Sequence, residues 1–412
     1  MTRDIRMKGF TGTTSLEEAL AVIRDRVKPL PPEEIALDGA VGRVVASDVR
    51  SAVDIPAFAR SAVDGYACRA EDTFGAGPFD AIELKVAFEV LAGKKPPRPL
   101  GRGEAARVMT GAPVPDGSDS VVMFEHVEAR DASIRLVQAL PPGKNVITRG
   151  EDVKKDEVVA PRGRRVRADD LGLLTSIRAG TLRVHRRPTI IIYSSGNELV
   201  RADSATQGDV EIVDSNGPML AALALHEGIA ATRGGILRDD RTLIADALRS
   251  AKADVIVTTG AASTGKEDWM PVLLSELGEL WVHGVSIRPA HPIGFGRLGE
   301  RLVFLLPGNP VAAFVGFRYF VRPALNLLGG IPVAEAFAPE RTRRAVLAKK
   351  IQSVIGRTDF TRVRFLEDGR VEPIRTGGAS ALTTLTRAAG IVTVPRDLEG
   401  LEEGTEVEVD LL

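Results

Sequence analysis

The chain has 412 residues, 44% of them hydrophobic and 26% charged, with a formal net charge of −1. That length predicts several domains and that balance an ordinary globular protein, while the near-zero charge excludes an electrostatic case for nucleic acid or an anionic membrane. The single cysteine, Cys68, excludes an intrachain disulfide and fits a reducing compartment, so the expected location is the cytoplasm.

Residues 15–27, "SLEEALAVIRDRV", carry helical periodicity with Ser15 placed to cap an acidic first turn. From about 33 to 165, short β-rich runs such as "RVVASDV", "IELKVAFEVLA" and "DSVVMFEHV" alternate with Pro, Gly and Asp turns. "ADDLGLLTSI" (168–177) reads as one helix. No apolar run approaches the roughly 20 residues of a membrane span, and "MTRDIRMKGF" has no signal-peptide core.

From 188 to 327 the rhythm becomes β-α-β-α. Strands are expected at 189–194, 231–237, 254–259, 280–286 and 301–307, and helices at 216–227, 241–252, 268–277 and 310–327. This predicts an α/β unit with a mostly parallel sheet and helices on both faces. Residues 328–412 read as a small C-terminal β-domain. The expected division is 1–187, β-rich with a lobe at about 50–145 inserted; 188–327, α/β; and 328–412, a β-barrel.

In an open parallel sheet, ligands bind beside the loops that follow the strands' C-terminal ends. Three loops have that position: "SSGNEL" (194–199) with Ser195, Gly196 and Glu198; "TTGAASTGKED" (258–268) with Gly260, Ser263 and Gly265; and "LPGNP" (306–310) with Pro307, Gly308, Asn309 and Pro310. Small residues in the second loop would let its backbone approach a bulky ligand, and Gly308 would permit a sharp turn before a helix capped by Asn309. The exposed amides at such helix starts suit an anion. There is no Walker sequence, no G-x-G-x-x-G, no G-x-S-x-G and no zinc-spaced His/Cys set.

Several acids fall at turns: Asp64, Asp152, Glu198, Asp239 and Asp268. Each could be a turn former or a helix cap, Asp268 for helix 268–277 and Asp239 or Asp240 for helix 241–252. Carboxylates beside a phosphate need an intervening cation, and Mg²⁺ held by one or two carboxylates plus phosphate oxygens is the usual solution. Glu198 and Asp268 lie on that ligand edge.

Taken together, these motifs resemble the molybdopterin molybdenumtransferases, the MoeA-type family that includes the C-terminal domain of gephyrin. "PAFARSAVDGYA" (56–67) is similar to P-x-x-x-x-S-x-x-DGYA, and "RVMTGAPVPDGSDSVVMFE" (107–125) to I-M-T-G-A-P-x-P-x-G-A-D-x-V-V-x-x-E. "RGEDVKKDE" (149–157), "SSGNELV", "VDSNGPML" and "LLPGNPVAAFVGF" match further family segments in order. The resemblance implies an enzyme that inserts molybdate, a co-substrate, into adenylylated molybdopterin with Mg²⁺ and releases AMP. It also implies an elongated homodimer with a cleft shared between subunits, and the adenylyltransferase of the same pathway as a further partner. Carried over by position, Asp64, Thr110 and Asp152 come from the N-terminal lobe. Glu198, Asp239, Asp268, Pro307 and Pro310 come from the α/β domain; Asp64, Asp152, Asp239 and Asp268 are the candidate catalytic set, with Asp239 and Asp268 the candidate Mg²⁺ ligands.

Two segments depart from the family. "GAASTGKED" stands where GGVSVG-x-x-D is usual, and "RPAHP" (288–292) where most members read KPGKP. Arg288 and His291 therefore replace two lysines, and Gly284 a third. Arg288 keeps the charge with a different geometry, and an imidazole is cationic only part of the time near neutral pH. The expectation is an intact pterin-adenylate site and an altered oxyanion site, with Arg288 held toward the cleft by an extended "RPAHP". Two alternatives remain open: a carrier of molybdopterin or its finished cofactor without metal insertion, and an enzyme of altered metal preference, such as tungstate.

Overall fold

The computed structural model describes residues 13–204, 210–260, 262, 268–374 and 381–412. The chain forms two compact units. One comprises 34–41 and 47–183; the other takes the N-terminal segment to Glu33, residues 42–46 and 184–412.

The first unit is built on a six-stranded sheet in the order Ser120–Met123, Gly65–Cys68, Glu104–Val108, Ile82–Val90, Ser133–Leu136, Val127–Ala129. Tyr66, Cys68, Leu84, Ile134 and Leu136 fill one face. Gly65, in "DGYA", is needed for close strand packing: a Cβ there would stand 1.9 Å from the Val122 carbonyl oxygen. Burial pushes the Cys68 thiol up to about 12, so it is an inert core residue.

The second unit holds the α/β domain. Its strands are β1 (Ile190–Ser195), β2 (Ala231–Leu237), β3 (Val255–Thr259), β4 (Glu279–His283), β5 (Gly294–Leu298) and β6 (Arg301–Leu306). The sheet order is β2-β1-β3-β6-β5-β4, parallel from β2 to β6, with β5 antiparallel to both its neighbours. The helices are α1 (Asn216–His226), α2 (Arg241–Ser250), α3 (Trp269–Leu277) and α4 (Pro310–Gly316). Leu220 of α1 and Val311–Val315 of α4 pack on one face, and Ile244, Leu248, Met270 and Leu273 of α2 and α3 on the other. The mostly parallel sheet and the helices on both faces are as the alternating pattern predicts.

Helix α4 runs on through a π turn, Phe317–Val321, into the helix Arg322–Leu328. The whole element, Pro310–Leu328, is 19 residues long and apolar enough to cross a membrane by length and composition, which run-counting in the sequence misses. It is 83% buried within the protein, as a core helix is. Ser15 forms a capping box with Glu18 at the start of Leu16–Arg26, whose Ala19 and Ile23 join the same core.

The C-terminal β-domain runs in the order Ile287–Arg288, Thr358–Phe365, Gly390–Val394, Glu406–Leu411, Thr342–Val346, with Val371–Pro373 also paired to Thr358–Phe365. A bridge between Leu347 and Val371 joins the last strand to that side branch and closes a small barrel around Leu347, Val363, Val392 and Val409. Its first strand is borrowed from the α/β domain. Ile287 and Arg288 lie parallel to Thr358 and Asp359.

Candidate functional site

β1, β3 and β6 are neighbours, and their C-terminal ends are in register: Ser194 beside Thr259, and Thr259 beside Leu306. The three loops singled out in the sequence therefore start side by side. The Gly196 amide donates to the Leu237 carbonyl, and the Gly260 amide to that of Leu306, both at 3.1 Å.

Gly260 has φ +90°, and a Cβ on it would stand 2.1 Å from the Ser195 carbonyl oxygen. Its small size is thus demanded by the end of the neighbouring strand β1. Gly308 differs. It lies outside the left-handed region, and the nearest atom to a Cβ there would be Gly260 Cα at 3.6 Å. Its turn does not require glycine. Pro310 opens α4 as expected, and Asn309 sits at the N-cap without a side-chain bond to the helix amides. Ser263 and Gly265 lie outside the described residues.

The acids separate by their hydrogen bonds. Asp240 is the cap of α2 and accepts from the Leu243 amide at 2.9 Å. Asp239 is thereby left to the loop edge, where it accepts from the Ser195 hydroxyl and the Asn197 amide, each at 3.1 Å. Glu198 is exposed, with its carboxylate folded back over Gly196: a Cβ there would meet both oxygens at 2.7 Å. Asp268 holds the N-cap position of α3 without a side-chain capping bond. Nearby, His283 Nε2 lies 3.0 Å from the Ala262 carbonyl. Burial pushes the His283 imidazole down, against the pull of that carbonyl and of Asp268.

Among the described residues, no group of three or more His, Cys, Asp or Glu side chains gathers to hold a metal. The carboxylate oxygens of Asp239 and Asp268 are hard donors of the kind Mg²⁺ takes.

In the other unit, Asp64 Oδ1 accepts from both the amide and the hydroxyl of Thr110, at 2.7 and 2.8 Å. The amide first, then the hydroxyl, holds this exposed carboxyl below the usual aspartate range. Asp152 is exposed on the RGED turn, its amide bonded to the Ile55 carbonyl at 3.0 Å.

Arg288, His291, Pro307 and Asn309 line one cavity of about 1440 Å³. The opposite wall is the C-terminal domain, through Lys349, Lys350, Arg357, Asp359 and Arg362. This wall is invisible to motif reading because its residues meet the loops only after the barrel folds. The "RPAHP" segment is not extended as expected. The Arg288–Pro289 peptide is cis and Ala290 has φ +80°, so the segment turns sharply. Nor does Arg288 stand on the α/β sheet's edge; it pairs with the barrel.

Most cavity cations already have a carboxylate. Arg288 and Arg357 share Asp359, Lys349 pairs with Glu372, and Lys350 with Glu402. Arg362 has no carboxylate partner among the described residues, and its Nε is buried without a hydrogen-bond partner. Burial first, and the neighbouring Arg288 charge second, push its guanidinium down. A desolvated cation beside a like charge is what an incoming anion relieves.

Comparison with known proteins agrees in order along the chain. Family profiles match residues 14–177 (MoeA N-terminal region, domain I and II), 191–327 (probable molybdopterin binding domain) and 344–412 (MoeA C-terminal region, domain IV). A putative molybdopterin biosynthesis protein of Methanocaldococcus jannaschii is 33% identical over 92% of each chain. Molybdopterin molybdenumtransferase 2 of Mycobacterium tuberculosis is 32% identical over 96% of this chain and 98% of its own. A crystal structure of the molybdopterin biosynthesis MoeA protein of Pyrococcus horikoshii superimposes with a TM-score of 0.85 at 32% identity, covering 97% of this chain and all of that one. The chain belongs to the MoeA family of molybdopterin molybdenumtransferases.

Proposed function

We propose that this protein, a transferase of molybdenum cofactor biosynthesis, inserts molybdate into adenylylated molybdopterin and releases AMP. The observation that carries the reading is the cavity in which "RPAHP" and "LPGNP" face a wall of cations, one of them without a carboxylate partner among the described residues. Such a cavity suits a small oxyanion.

In this reading the pterin nucleotide lies along the turns after β1, β3 and β6, against Ser195, Gly196, Glu198, Gly260 and the amides that open α4 at Pro310. Arg362 receives molybdate, with Arg288, His291 and Asn309 around it. Asp239 and Asp268, together with the substrate's phosphates, would hold Mg²⁺, which would supply charge neutralisation for the departing nucleotide. Asp239 is oriented for this by Ser195 and Asn197. Asp64, aligned by Thr110, and Asp152 act from the N-terminal lobe of a second subunit in a cytoplasmic homodimer.

The test is to supply the purified protein with adenylylated molybdopterin, molybdate and Mg²⁺, and to follow AMP and pterin-bound molybdenum together. Stoichiometric appearance of both supports insertion. Tight pterin binding with neither product points to a carrier, and turnover only with tungstate to an altered metal preference.

A further inference from the structure

Two residues at the start of α1, Asp214 just before it and Asn216 at its first position, touch the ends of all three strands that carry the candidate loops. Asp214 Oδ1 accepts from the Ser194 hydroxyl at 2.8 Å and from the Gly217 amide at 2.9 Å, which fastens the start of α1 to β1. Asn216 then reaches across the sheet. Its Nδ2 donates to Thr259 Oγ1 at 2.8 Å and to the Gly308 carbonyl at 2.7 Å. The Thr259 hydroxyl in turn donates to the Pro307 carbonyl at 3.0 Å.

The carboxamide's orientation follows from its partners. A carbonyl only accepts, and the Thr259 proton is already directed at Pro307, so the amide nitrogen must face both. Among the described residues the Asn216 Oδ1 is buried with no hydrogen-bond partner, so the bonds this side chain makes are those of its donor half. What the position requires is the donor half, aimed at the turns after β3 and β6.

We propose that Asn216 is a positioning residue that sets the spacing of the Thr259–Gly260 and Pro307–Gly308 turns, and thereby the affinity for the pterin nucleotide. The inference rests on the reading that the nucleotide lies across those turns. With the amide present, the two turns form one rigid surface. Without it, each turn keeps its own strand bonds but loses its bond to the other through Asn216. The cavity cations are held by the barrel and by Arg288, and of these turns only Pro307 and Asn309 reach the cavity, so oxyanion recognition should depend on this tie far less than nucleotide affinity does.

The test uses the full chain and two variants that cut the same link from opposite sides, Asn216→Ala and Thr259→Val. The dissociation constant for adenylylated molybdopterin is read from pterin fluorescence, the molybdate half-saturation from AMP release, and loop order from amide hydrogen exchange. Both variants should weaken pterin-nucleotide binding by about 10-fold or more. Each should speed exchange at Gly260 while leaving molybdate half-saturation within about 2-fold of wild type. Asn216→Asp should fail to rescue, because it returns the shape without the donor.

Unchanged nucleotide affinity with faster exchange would overturn the proposal, leaving Asn216 a structural tie only. Equal losses for both substrates with a lowered melting temperature would overturn it as well. A wild-type protein that binds the nucleotide and releases no AMP would refute the insertion reading instead, and the binding and exchange measurements would still decide this one.

Discussion

Arg288 and Asp359 form an ion pair of 2.7 Å in which the carboxylate is 1% exposed and the arginine side chain 54%. Arg357 holds the carboxylate's other oxygen at 3.0 Å. A charge that first catches the eye in a motif is thus already partnered by the fold, whereas Arg362 has no carboxylate partner among the described residues. Arg362→Ala should raise the molybdate concentration for half-maximal turnover roughly 10- to 150-fold, the equivalent of a charge-assisted contact of about 1.5–3 kcal/mol. Arg288→Ala should move it less and instead lower stability by about 1–3 kcal/mol, since a buried carboxylate loses one of its two partners. Molybdate titration and urea unfolding of the two variants separate these effects; a larger titration shift for Arg288→Ala would reverse the assignment.

Asp239 and Asp240 are adjacent in sequence and divided in role. Asp240→Ala removes a helix cap and should cost about 0.5–2 kcal/mol of stability with turnover retained. Asp239→Asn should leave the melting temperature nearly unchanged and abolish Mg²⁺-dependent AMP release. Titrating Mg²⁺ into both variants is the measurement. Full activity of Asp239→Asn would move the cation elsewhere, and Asp268→Asn is the next variant to assay.

The two loop glycines should respond oppositely to a methyl group. Gly260→Ala meets the Ser195 carbonyl at 2.1 Å from a left-handed backbone, and should destabilise by more than about 2 kcal/mol. Gly308→Ala has ordinary van der Waals room and should fold with stability within about 1 kcal/mol of wild type. Thermal unfolding of the pair tests this, and equal losses would contradict the account.

The bond from Thr110 to Asp64 predicts a pH signature. Because the folded-state pKa of Asp64 is lowered, its contribution to stability is present above the usual aspartate range and lost as pH falls through the lowered value. Thr110→Val keeps the amide donor and removes the hydroxyl. Carboxyl titration by NMR should find the Asp64 pKa raised toward the ordinary range, but not fully, in the variant. An unchanged value would mean the amide alone sets it.

Much of this architecture is legible in the residues, and the gaps have physical causes. β1, β3 and β6 announce themselves as β-branched and leucine-rich runs, and their order along the chain implies a shared edge. β5 does not, because "GFGRL" lacks a β-branched residue. Its glycines serve proximity: a Cβ on Gly296 would stand 1.9 Å from the Glu279 carbonyl oxygen. The pair Ile287–Arg288 is too short to show any period, so its membership of the barrel is hidden. Asp64 and Thr110 were each singled out by position, but their bond joins separate strands and loops. Arg362 carries no local signal at all; its isolation from carboxylates is a property of three dimensions.

That borrowed strand has a consequence for biosynthesis. Ile287–Arg288 finds its partner only when Thr358–Asp359 has been made. Arg318, within the long helix, awaits Asp410 of the barrel strand Glu406–Leu411, to which it donates at 2.9 Å through Nε. During translation the parallel sheet can assemble first, since its own strands end at Leu306. The basic cavity is completed later, once the barrel that supplies its wall has been made. A polypeptide cut short at residue 328 would keep the three aligned turns and lack the wall that faces them, so newly made protein should acquire its two binding surfaces in succession.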